Sequence, residues 1–116
     1  MDYLPLFHNL KGRRIVVVGG GEIALRKVRL VQQASALITI IAKDFCPDLL
    51  EMDRADKEHG CNGLELITAG YEHHHLQKYP NTVMVIAATN DRDLNRLVSE
   101  HAQAANMLSN VVDDPG

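Results

Sequence analysis

Residues 16–27 read VVVGGGEIALRK. The run at 14–18 is β-branched and bounded by glycines, which suits a strand buried on both faces of a parallel sheet better than a half-exposed hairpin strand. Gly19 ends it. Between residues 22 and 33, Ile23, Ala24, Val28 and Val31 recur at helical spacing while Arg26, Arg29, Gln32 and Gln33 take other faces, so an amphipathic helix is expected directly after the glycines. Gly19, Gly21 and Ala24 form a GxGxxA arrangement between that strand and that helix. In such a turn the first glycine permits the tight bend, the second lets a pyrophosphate reach the backbone, and the small third residue lets helix and strand pack closely. Phosphates there meet unpaired N–H groups and the positive end of the helix dipole. A glycine turn serving packing alone is the other reading of the same residues.

Working outward, the alternation repeats. Residues 37–42 read as a second strand, about 47–59 as a weakly amphipathic helix, and 64–67 as a short third strand. Residues 82–88 form the next strand, leading through Thr89 and Asn90 into a helix whose Leu94, Leu97, Val98, Ala102 and Ala105 share a face. Residues 107–112 make the last strand. Strands alternating with helices call for right-handed crossovers and a parallel sheet covered on both faces, so the fold class is α/β, a Rossmann-like doubly wound sheet in one domain over residues 1–116.

Composition narrows the function classes. With 46% apolar and 23% charged residues, the chain is neither disordered nor fibrous. Its net charge is −3 and its basic residues are scattered apart from Arg26, Lys27 and Arg29, which argues against nucleic acid as a partner. Apolar runs fall far short of the roughly 20 residues of a membrane span. The opening MDYLPLFHNLKG has no signal-peptide pattern, and a cytoplasmic location is expected. Cys46 and Cys61 form neither a disulfide framework nor a metal motif.

Specificity for NAD normally comes from an acid at the end of the second strand, which accepts hydrogen bonds from the ribose hydroxyls. That strand ends here at Ala42, followed by Lys43 and Asp44. Lys43 favours a phosphate and Asp44 sits late, so spacing leaves NAD and NADP both open; Asp44 also reads as a helix N-cap. Thr89 and Asn90 lie where strand ends line the crevice and can reach the ribose or nicotinamide, while Asn90 or Asp91 can equally cap the next helix. Arg26, Lys27 and Arg29 either assist a phosphate or form a solvated helix face. His73, His74 and His75 are consecutive and do not converge on one point, so a solvated segment is expected and no metal ligand is assigned. His8, His59 and His101 carry no pattern.

Four segments together resemble the precorrin-2 dehydrogenase and sirohydrochlorin ferrochelatase family, including the N-terminal part of siroheme synthases: YLPLFHNLKG at 3–12, VVVGGGEIALRK at 16–27, VIAATND at 85–91 and NVVDDP at 110–115. The resemblance implies oxidation of precorrin-2 to sirohydrochlorin with NAD, followed in many members by insertion of ferrous iron. It implies cofactor contacts at Glu22 and Ile23 and at Lys43 and Asp44, and a general base at Asp113. Without the resemblance, Asp113 reads as a turn residue before Asp114 and Pro115. Lys43 stands where many relatives carry proline. The family continues past NVVD into a dimerisation region and a helical domain completing the tetrapyrrole site, so the chain is expected to be a truncated part of a homodimeric enzyme. A nucleotide-sensing regulatory domain of the potassium-transport type and an inert folding fragment are the competing readings; Ala42 and Asp113 favour the enzyme.

Overall fold

The computed structural model describes residues 10–112. Five strands, β1 (Arg14–Val18), β2 (Leu37–Ala42), β3 (Leu64–Thr68), β4 (Thr82–Ala87) and β5 (Leu108–Val111), alternate with α1 (Glu22–Gln32), α2 (Pro47–Glu58), α3 (His74–Gln77) and α4 (Arg92–Ala104). All strand pairs are parallel, in the order β3-β2-β1-β4-β5. This is the expected Rossmann-like α/β domain.

Side-chain alternation along the strands divides the core into two layers. Ile15 and Val17 of β1, with Ile38, Ile40, Met84 and Ile86, pack under Ala24, Leu25, Val28 and Val31 of α1 and Leu49 of α2. Val16 and Val18, with Ile41, Val85 and Ala87, face Val98 and Ala102 of α4 and Leu76 of α3. Because both faces are covered, β1 carries no polar side chain between Ile15 and Val18, and all four of those residues are buried. Each fully buried valine or isoleucine contributes about 1.5–3 kcal/mol. The edges are less protected: Leu108 and Val111 of β5 are 47% and 45% exposed.

Element boundaries differ from expectation by one residue or so, the usual fraying at ends. Gln33 is the C-cap of α1 rather than its last residue, and β5 is shorter than 107–112. One element is new. The polar histidine run, expected as a solvated segment, includes the four-residue α3, and His75 and Leu76 are both buried. His73 and His74 are exposed, but His75 turns inward because its Nδ1 accepts the backbone N–H of Glu72 at 2.9 Å. Burial holds the His75 imidazole below the ordinary histidine range.

From β1 the chain steps one way to β2 and β3, then returns to the opposite side of β1 for β4. At that reversal the connections diverge to opposite faces and leave a crevice beyond the carboxyl ends of the strands.

Candidate functional site

The crevice is a cleft of about 970 Å³ lined by the β1–α1 turn, the β2–α2 loop, the segment after β3 and the β4–α4 loop. That volume is at the upper end for small-molecule sites and suits an elongated ligand.

The glycine turn forms one wall, and close backbone packing fixes its position. Gly19 has φ +133°, and a Cβ on it would stand 2.3 Å from the carbonyl oxygen of Ala88. A Cβ on Gly20 would fall 2.0 Å from the carbonyl oxygen of Asp44 and 2.8 Å from the Ala42 Cβ. The contact is reinforced where Cys46 N–H donates to Gly20 O at 2.7 Å. Around Gly21, by contrast, a Cβ would meet nothing within 4 Å. Gly21 is the N-cap of α1, and among the described residues no side chain caps the helix. Its first-turn amides therefore have no side-chain acceptor, which fits an anionic group approaching across Gly21. Ala24 is fully buried, as close helix–strand packing requires.

Glu22 and Ile23 line the cleft from the first turn of α1, and Lys43 and Asp44 from the β2–α2 loop. Asp44 is not a helix cap: Cys46 occupies that position on α2, and Pro47 at the start of the helix removes one of the orphan N–H groups a cap would serve. Arg26, Lys27 and Arg29 are absent from the cleft lining. Arg29 faces Asp48 at 3.6 Å, and Lys27 is buried, so only part of that basic cluster is a solvated face.

On the opposite wall, Thr89, Asn90 and Asp91 all line the cleft, with distinct roles. Asp91 is the α4 cap, its Oδ1 accepting from the backbone N–H of Asp93 and Leu94 at 3.0 and 3.2 Å. Asn90 is left exposed beside it. Thr89 is held by Asn95, a residue the sequence reading passed over: Thr89 N–H and hydroxyl donate to Asn95 Oδ1 at 3.1 and 2.6 Å, and Asn95 Nδ2 donates to Thr89 O at 3.0 Å. Asn95 is 5% exposed. A buried polar residue on the inward face of an amphipathic helix was the available signal. Asn95→Ala is expected to leave the Thr89 groups unpaired and to lower stability by about 2 kcal/mol, read from the midpoint of urea unfolding. Asn95→Asp keeps the acceptor but sets a buried carboxylate oxygen against the Thr89 carbonyl in place of the amide donor, so it should lose at least as much.

Tyr71 is the other residue missed. It lines the cleft beyond β3, its hydroxyl lies 2.8 Å from His101 Nδ1, and burial pushes it up to about 12. Tyr71 thus remains a neutral phenol. His73 stacks on His101 with ring centroids 4.1 Å apart, and burial followed by the His73 charge lowers the His101 imidazole. Among the described residues no group of three His, Cys, Asp or Glu side chains is arranged to hold a metal, and no helix is long and apolar enough to cross a membrane. Asp113 lies outside the described residues.

These features agree with what the chain resembles. It is 46% identical over 115 residues to the siroheme synthase of Stutzerimonas stutzeri, covering 99% of this chain and 23% of that protein. Against the siroheme synthase of Sodalis glossinidius the identity is 42%, covering 98% of this chain and 22% of that protein. The chain thus spans under a quarter of the length of the curated relatives it matches. Among solved structures, "SirC, precorrin-2 dehydrogenase" superposes over 100% of this chain and 51% of that one, with a TM-score of 0.70 at 27% identity. A family model described as "Putative NAD(P)-binding" matches residues 6–116, and with a glycine turn, an uncapped helix and a cleft at the sheet's reversal all in that span, the chain belongs to this NAD(P)-binding family.

Proposed function

We propose that this chain is the NAD-binding part, over residues 1–116, of a cytoplasmic, homodimeric siroheme-forming enzyme that oxidises precorrin-2 to sirohydrochlorin and then inserts ferrous iron. The observation that carries the reading is the cleft at the β1/β4 reversal, in a chain similar over nearly its full length to siroheme synthases. NAD supplies the hydride acceptor. The residues assigned to hold it are Gly19, Gly21, Glu22 and Ile23 around the pyrophosphate, Lys43 and Asp44 toward the adenine ribose, and Thr89 and Asn90 toward the nicotinamide ribose. Backbone amides of the uncapped α1 terminus bind the phosphates without a cationic side chain. Loss of a hydride from the macrocycle leaves one proton to be taken up, and Asp113 is assigned as the base that receives it. The same carboxylate can strip pyrrole N–H protons when iron enters.

Calorimetric titration of the 116-residue chain with NAD tests the cofactor step. Heat of binding is expected, and Gly21→Val is expected to remove it by closing the open approach at Gly21 while leaving the thermal midpoint close to that of the parent. No heat with either NAD or NADP would overturn the assignment of the cleft.

A further inference from the structure

The second strand ends without a carboxylate. Ala42 occupies the position from which an acid would accept hydrogen bonds from the adenine ribose and repel a phosphate on its 2′-oxygen. The next residue is Lys43, exposed and in the cleft. Among the described residues it is the only cationic side chain lining that cleft.

Its place is set by its neighbours. The Ala42 Cβ and the Asp44 carbonyl oxygen both pack against Gly20, so Lys43 sits one residue from each contact and directly beside the turn assigned to the pyrophosphate. The aliphatic stem runs across Gly70, with Cε 3.1 Å from where a Cβ on that glycine would stand. A side chain at residue 70 would crowd that path. Three carboxylates share the lining, Glu22, Asp44 and Asp91. Asp91 is occupied in capping α4, and neither Glu22 nor Asp44 forms an ion pair with Lys43. Among the described residues the ammonium is therefore not neutralised, in the same cleft as the glycine turn.

From this juxtaposition we infer that Lys43 binds a phosphate on the 2′-oxygen of the adenine ribose, so that the cleft accepts NADP as well as NAD. The inference rests on the dinucleotide reading of the cleft and adds to it the chemistry of the adenosine end. An ammonium contributes as a point charge rather than a bidentate fork, and an exposed pair is weaker than a buried one, so the effect is one of selectivity.

The test is titration of the chain with NAD, NADP, adenosine 5′-monophosphate and adenosine 2′,5′-bisphosphate, before and after Lys43→Ala and Lys43→Glu. The parent is expected to bind NADP within about threefold of NAD, and Lys43→Ala to shift the NADP-to-NAD affinity ratio about three- to fivefold toward NAD, with Lys43→Glu shifting it further. The bisphosphate-to-monophosphate ratio should move in the same sense. NAD bound with NADP more than about thirtyfold weaker, or a ratio unmoved by Lys43→Ala, would overturn the role of Lys43 while leaving the dinucleotide site standing. Failure of the parent to bind any of the four would overturn both.

Discussion

Gly20→Ala is expected to abolish dinucleotide binding and to lower stability by about 3 kcal/mol or more, at the upper end of what overpacking costs. The added methyl would lie 2.0 Å from the Asp44 carbonyl oxygen and 2.8 Å from the Ala42 Cβ. Neither partner is the free end of a flexible side chain: one is backbone, and the other is rooted in the last residue of β2. Relief requires moving the β1–α1 turn away from the β2–α2 loop, which breaks the bond from Cys46 N–H to Gly20 O and opens the wall of the cleft. Gly21→Ala is the control. Its backbone is extended, with φ −102° and ψ −159°, and its surroundings are empty, so its stability should stay within about 0.5 kcal/mol of the parent. Thermal unfolding and calorimetry on the two variants separate a structural glycine from a ligand-facing one. Parental stability and affinity in Gly20→Ala would show that the two loops part freely.

Replacing Asp113 by alanine in the full-length protein is expected to lower precorrin-2 oxidation by about two orders of magnitude or more, the scale for losing a positioned general base. NAD affinity should change little, because no assigned phosphate or ribose contact involves this residue. The chain reaches it from β5, which lies beside β4, and Val112 N–H donates to Ala87 O at 2.9 Å; the backbone at Val112 is thus tied to the carboxyl end of β4, next to the cleft. Metallation, followed with sirohydrochlorin and ferrous iron as substrates, should fall in parallel if one carboxylate serves both steps. Near-normal oxidation by Asp113→Ala would reduce the residue to a turn former before Asp114 and Pro115. Loss of NAD binding would assign it a structural role instead.

Much of the fold was legible because its signals are local. The β-branched run at Arg14–Val18, the glycines after it and the helical spacing of Ala24, Val28 and Val31 each involve residues close in the chain, and buried parallel strands announce themselves as apolar runs. Strand–helix alternation then left a parallel sheet as the architecture consistent with short connections. The α3 helix escaped because four residues are too few to show a period, and because three histidines read as solvent-facing until one is seen accepting a backbone N–H.

By itself, the sequence determined that this is a doubly wound α/β domain and that a glycine turn opens α1, since turn geometry and hydrophobic period depend on neighbours within a few residues. Only the tertiary structure decided which residues meet across the cleft. Gly20, an unassigned position within GxGxxA, proved sterically stricter than Gly21 because a loop more than twenty residues away presses on it. Asp91 rather than Asn90 caps α4, Asn95 clamps Thr89, and Tyr71 joins the lining through a partner on α4. Those outcomes depend on strand order and loop packing, which bring distant side chains to within hydrogen-bonding distance and leave no periodic trace along the chain.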